Sequence, residues 1–244
     1  PAALMPDPAF ANPRLAALYD DLDGVRDDLD LYAGLVTECG AQSVIDLGCG
    51  TGSLACRLAA AGIDVVGVDP AAASLDVAQH KPHADRVEWI HGDARSLGDR
   101  QADLIVMTGN VAQVFLTDES WHTTLVAARD AASDGAVLAF ETRDPAARAW
   151  RRWTRDDTHR VVDTSQGRVE TWVDVTEVAL PFVSFRWTYR FGAELELVSD
   201  STLRFRRPAE IEKSLRSAGW SLSEMRDAPD RPGLEFVVVA TVTR

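Results

Sequence analysis

Between residues 40 and 145 the chain repeats one unit: a short β-branched run, then a longer alanine-rich stretch with apolar residues at helical spacing. The runs are SVIDLG (43–48), IDVVGVD (63–69), VEWIHG (87–92), DLIVMTG (103–109) and AVLAFET (136–142). Several are almost wholly apolar, as strands covered on both faces must be. The alternation commits this part of the chain to a parallel sheet flanked by helices, an α/β architecture. Ahead of it, NPRLAALYDDL and RDDLDLYAGLVTECG read as two helices, the second closed by Gly40.

Beyond residue 155 the period changes from helical to two. HRVVDTS, RVETWVDVTEV, FVSFRWTYRF and ELELVSDSTLRFR alternate apolar with polar residues, parted by turn signals at Gln166-Gly167, Pro181 and Gly192. This spells an antiparallel meander. Helical spacing returns in RPAEIEKSLRSAGW, with Pro208 at the start and Gly219 past the end, and two more strands, WSLSEMR and LEFVVVATV, follow. The expected organisation is therefore an α/β domain over 1–155 and 206–244, interrupted by an antiparallel β insertion over 156–205. A chain of 244 residues accommodates this without staples.

Cys39, Cys49 and Cys56 are odd in number and contain no CxxC pair, so neither a disulfide framework nor a thiolate metal site is expected. YDDLDG (19–24) resembles the start of a calcium loop, but its first ligand position falls on Tyr19, so it reads as a solvated helix face and no metal is expected. A net charge of −13 opposes a nucleic-acid partner, because phosphate binding rests on Lys and Arg. The apolar run FVVVATV is too short to cross a bilayer, and the N-terminus lacks a basic region leading into an apolar one. The expectation is a cytoplasmic protein without a membrane partner, as a monomer or homodimer.

The segment VIDLGCGTG (44–52) sets Gly48, Gly50 and Gly52 directly after a buried strand, a tight turn whose backbone can approach a ligand closely. Asp69 ends the second strand about 20 residues on, where a carboxylate can take both hydroxyls of a ribose. Both features suit a dinucleotide or a methyl donor. The loop reads G-x-G-x-G followed by Ser53 and Leu54, an imperfect match to the G-x-G-x-x-G of a pyrophosphate site. Asp46, inside the strand, would repel a pyrophosphate and attract a sulfonium and an ammonium. Asp93, just past the third strand, can accept a hydrogen bond from an adenine amine, an acid that the dinucleotide fingerprint does not contain.

VIDLGCGTG, VVGVDPAAASLDVAQ and HGDARSL resemble, in order and spacing, the first three motifs of class I S-adenosylmethionine-dependent methyltransferases, of the small-molecule type that includes natural-product and sugar N-methyltransferases. With ADLIVMTGNVAQVF the resemblance covers residues 44–142, and AGW with LEFVVVATV resembles the family's last helix and reversed hairpin. It implies a doubly wound, mostly parallel, seven-stranded Rossmann-like sheet with a reversed last strand, the β insertion serving as a cap. It also implies S-adenosyl-L-methionine as cofactor, with Asp46, Gly48, Cys49 and Gly50 at the methionine end, Asp69 and Pro70 at the ribose, and Asp93 and Ala94 at the adenine. Thr108, Gly109 and Asn110 would flank the methyl. Tyr19 would fold over the donor from the N-terminal segment, or else pack on the sheet.

The acceptor is less marked. The fourth strand ends in TGNV, not in the Asn/Asp-Pro-Pro-aromatic stretch of exocyclic-amine and glutamine methylases, so a small-molecule acceptor methylated on N, O or C is expected. Glu141 and Arg143 stand at the tip of the fifth strand, where open α/β sheets bind ligands; they are catalytic candidates or an ion pair securing the loop. His91 and His122 read as structural. Trp150 and Trp153, three apart, would share a helix face beside Arg143. With Trp187, which shares a strand face with Phe185, Tyr189 and Phe191, they are the acceptor candidates, core packing being the alternative for the aromatic group. The rival functions are an NAD-dependent oxidoreductase and a donor-binding module without chemistry.

Overall fold

Short, almost wholly apolar runs build the main sheet. In the computed structural model, which describes residues 5–24, 26–193 and 195–243, the strands are β1 (Ser43–Leu47), β2 (Asp64–Asp69), β3 (Val87–His91), β4 (Ala102–Met107) and β5 (Ala132–Arg143). There follow β6 (Arg160–Thr164), β7 (Gly167–Ala179), β8 (Phe182–Phe191) and β9 (Leu195–Arg204), and finally β10 (Trp220–Asp227) and β11 (Glu235–Val242). The helices are α1 (Pro8–Ala11), α2 (Pro13–Ala16), α3 (Tyr19–Asp23), α4 (Asp28–Cys39), α5 (Ser53–Ala60), α6 (Ala72–Gln79), α7 (Asp118–Asp130), α8 (Arg155–Thr158) and α9 (Pro208–Ser217).

The main sheet runs β3-β2-β1-β4-β5-β11-β10, with β11 antiparallel to both its neighbours. The last strand is thus reversed, as expected. On one face Ile45, Ile105, Met107, Leu138 and Phe140 meet Trp121 and Leu125 of α7 and Leu215 of α9. On the other, Val44, Leu104, Val106 and Ala139 meet Tyr32 and Leu35 of α4 and Leu54 and Leu58 of α5. Each strand residue thus serves the opposite core from its neighbour, the reason these runs could be apolar throughout. The order reverses at β1 and β4, which places a crevice at their carboxyl ends.

Strands β6 to β9 form a separate antiparallel meander. The N-terminal segment ties this second sheet to the first. Ala9 N–H donates to Ser199 Oγ (2.9 Å), Ser165 N–H and Oγ donate to Asp21 (both 2.9 Å), and Ser74 Oγ donates to the Phe10 carbonyl (3.1 Å). The single helix expected over 12–22 is instead α2 and α3, parted by a turn at Ala17 and Leu18. Helices this short gain little from propagation, so anchoring of Asn12, Asp20 and Asp21 decides where the backbone turns.

Candidate functional site

The turn after β1 is held open by close packing. Gly48 has φ +75°, and a Cβ there would sit 2.6 Å from Val111 Cγ2. Gly50 has φ +54°, and the space its side chain would occupy is empty to 4 Å. The Gly50 N–H donates to Asp69 Oδ2 (2.8 Å), and Ala71 N–H donates to Asp69 Oδ1 (2.7 Å). Asp69 therefore braces the loop with one lone pair of each oxygen and keeps the others free. Burial pushes its pKa up against the lowering effect of those two bonds.

A cavity of about 930 Å³ opens from this turn, within the range of ligand sites. At one end it is lined by Gly48, Cys49, Gly50, Asp69 and Pro70, with Asp93, Ala94, Thr108 and Gly109 beside them. Tyr19 faces it too, its ring 5.4 Å from that of Phe10. Its hydroxyl pKa lies well above the usual tyrosine value, through burial and the nearby Asp23 carboxylate. Asp20, the next residue, accepts from Thr51 Oγ1 (2.7 Å) and pairs with Lys81 Nζ (2.6 Å), fastening α3 onto the glycine turn.

Asp46 lies behind the cavity wall, 1% exposed, with neither carboxylate oxygen hydrogen-bonded. Burial, then the neighbouring Asp69 charge, pushes its pKa up to about 7, against the pull of Arg26. Arg26 itself lines the cavity and is held by Asp28 (2.8 and 2.6 Å) and Asp23 (3.0 Å). It stands outside every sequence motif; the only signal was a lone cation ahead of an acidic helix start. Asp93 is engaged by Arg95, whose Nε and Nη2 donate at 2.6 to 3.1 Å, which holds its pKa low. Any ligand group donating to Asp93 would share that carboxylate with Arg95.

Several sequence candidates lie away from the cavity. Glu141 is 3% exposed and accepts from Asn110 N–H (3.1 Å) and Tyr32 Oη (3.3 Å). Asn110 Nδ2 donates to Glu235 (3.1 Å), which also pairs with Arg143 Nε (3.4 Å) and accepts from Arg231 Nη1 (2.8 Å). The register of β11 on β5, which sets Glu235 opposite Arg143, assembles this buried network. Burial and the Glu235 charge push Glu141 up to about 7. Glu141, Arg143 and Asn110 thus stand behind the turn after β4 and do not line the cavity, and the salt bridge of Arg143 is to Glu235.

The tryptophans are packing elements as well. Residues 149–152 form one 3₁₀ turn, not an α-helix, and Trp150 packs edge-on against Phe205 (4.8 Å between ring centres). Trp153 packs edge-on with Phe185 (4.9 Å), Arg143 lies over the Trp153 ring (5.3 Å), and Trp187 lies beside Tyr189 (6.3 Å). None of the three lines the cavity. Its far half is instead walled by Phe10, Phe115 and Phe185 and by hydroxyl residues of β8, β9 and α7, which alternation alone could not single out.

Residues 44–135 match the methyltransferase domain family. The likeness to solved structures extends over nearly the whole chain. The CcbJ methyltransferase from Streptomyces caelestis superimposes with a TM-score of 0.79 at 19% identity, covering 96% of this chain and 98% of that one. CalS10, an amino pentose methyltransferase from Micromonospora echinaspora, gives 0.68 at 20% identity, covering 89% and 92%. At such identities the likeness establishes the fold. The cypemycin N-terminal methyltransferase of a Streptomyces species is 35% identical over 122 residues, 47% of this chain and 48% of its own. The chain thus spans about half of that relative's length, and 18% to 23% of three others. The dinucleotide and non-catalytic alternatives gain no support from these matches. No helix among the described residues is long and apolar enough to cross a membrane.

Proposed function

We propose that the protein is an S-adenosylmethionine-dependent methyltransferase acting on a small-molecule acceptor, with nitrogen as the receiving atom. The observation that carries the reading is the cavity of about 930 Å³ that begins at the glycine turn and ends against the second sheet, room for a donor and an acceptor together. The residues present suit this donor: Gly50 leaves a cradle that a Cβ would fill, and the orphaned Asp46 carboxylate stands behind it. An anion there favours a cationic ligand over a pyrophosphate.

Asp69 would take the ribose hydroxyls with its free lone pairs, Gly48 and Gly50 would border the methionine end, and Ala94 with Asp93 the adenine. Arg26 lines this end too, but Asp28 and Asp23 already engage its guanidinium, so a methionine carboxylate would share it with them. When bound, the donor supplies an electrophilic methyl on a sulfonium that departs as a neutral thioether. The chain's task is then alignment and exclusion of water, worth roughly 7 to 11 kcal/mol when geometry is right. Thr108 and Gly109 border that region, and the network of Glu141, Asn110 and Glu235 keeps their turn rigid. Nitrogen is adopted because two of the similar proteins are named for methylating an N-terminus and an amino pentose. Calorimetry with S-adenosylmethionine and S-adenosylhomocysteine tests the reading: heat of binding is expected with both, and none with either refutes it.

A further inference from the structure

The far half of the cavity carries an uneven set of charges. Arg186 lies there but is clasped by Asp200, with Nε and Nη2 donating at 2.6 and 2.8 Å. That cation is not available to an anionic acceptor. Glu119 and Asp7 also line this half, and Asp7 is placed unusually.

Asp7 precedes Pro8 at the start of α1, where an aspartate ordinarily accepts an N–H from the first helical turn. It makes no such bond; Ser199, reaching across from β9, accepts the Ala9 N–H instead. Relieved of capping, the Asp7 carboxylate turns to the cavity wall and accepts from Ser201 Oγ at 2.6 Å. Burial pushes its pKa up and the Ser201 hydrogen bond opposes this, with no cation among the described residues contributing. A half-buried carboxylate with a hydroxyl on one oxygen and no positive partner among the described residues is short of one charge-assisted donor there. Beside it Ser201 presents its hydroxyl, and Phe10, three residues on, adds an aromatic ring to the same cavity lining, surroundings that suit a polar organic cation.

We propose that Asp7 is the specificity residue of the acceptor half, seating a protonated amine carried by the acceptor. The assignment rests on the methyltransferase reading, and its test separates the two. Wild type is first titrated with S-adenosylhomocysteine; absence of heat at this step removes the methyltransferase reading itself. The loaded protein is then titrated at neutral pH with glucosamine, phenethylamine and alanylalanine, the first two paired with glucose and 2-phenylethanol and the dipeptide with its N-acetyl form. At least one amine is expected to bind about tenfold to hundredfold tighter than its neutral counterpart, the range of a charge-assisted hydrogen bond. Asp7→Asn, nearly isosteric, abolishes that preference while leaving S-adenosylhomocysteine affinity and the circular dichroism spectrum unchanged. Asp7→Glu restores part of it. The amine is seated as the ammonium and must release its proton to solvent before its lone pair can take the methyl, so methyl transfer to it falls in Asp7→Asn through KM, the loss being in seating. Equal binding of amine and neutral counterpart, no binding of any amine to the loaded protein, or an unchanged preference in Asp7→Asn each overturns the assignment.

Discussion

Asp46 should cost the empty protein stability, and replacing it should expose that cost. Its carboxylate is 1% exposed, has no hydrogen-bond partner and faces the Asp69 charge, with Arg26 the opposing cation. The pKa rises from 3.8 to about 7. A raised carboxylate pKa means that the folded state binds the proton more tightly than the unfolded chain. Stability is therefore lost as pH climbs from about 4 to about 7, by roughly 1.4 kcal/mol per pH unit across that interval, on the order of 4 kcal/mol in all. Asp46→Asn removes the titration but still buries an unbonded amide, at about 1 to 3 kcal/mol. The variant should thus be more stable than wild type by about 2 kcal/mol at pH 8, and less stable or equal at pH 4. Urea denaturation at both values measures it. The same variant should bind S-adenosylhomocysteine more weakly, since the anion that favours the ligand's ammonium is gone. A variant whose stability runs parallel to wild type across this range would refute the argument, because Asp46 would then not ionise in an enclosed, unpartnered setting.

The other predictions concern the turn and the second sheet. Asp69→Asn sets an amide NH₂ against either the Gly50 or the Ala71 N–H, both of which now donate to Asp69; a loss of about 1 to 3 kcal/mol and weaker donor binding are expected by denaturation and calorimetry. Gly50→Ala, with free space around its Cβ, should lose only about 1 to 2 kcal/mol from its left-handed backbone yet bind the donor poorly. Gly48→Ala, which strikes Val111 at 2.6 Å, should lose clearly more stability than Gly50→Ala in the same denaturation assay. Trp150→Ala, removing a 6% exposed ring packed on Phe205, should cost roughly 3 to 5 kcal/mol while leaving S-adenosylhomocysteine affinity of the folded protein unchanged.

How far the site was legible depended on how local its geometry is. Gly48, Gly50, Asp69 and Ala94 lie close to a strand end, so strand plus turn fixes where each one points, and all four line the cavity. Glu141 and Asn110 satisfy the same local rule but fall behind the wall, because Glu235, far along the chain, and Tyr32 from α4 claim them through hydrogen bonds. Trp150 and Trp153 sit together as their spacing implied, yet they pack on Phe205 and Phe185 and border a second, smaller cavity of about 370 Å³. Asp7 left no signal in the sequence and Arg26 only that of a lone cation before an acidic helix start, since their placement depends on folds of the N-terminal segment over both sheets.

The order of strands and helices, the two-sided burial of β1 and β4, and the acids at the strand ends follow from the sequence by itself, because period and turn chemistry act over a few residues. Which carboxylates meet the cavity and which are buried as pairs was decided only in the tertiary structure. A charged side chain at a strand tip goes to whichever partner compensates its desolvation, and those partners arrive from the reversed strand β11, from α4 and from the N-terminal segment.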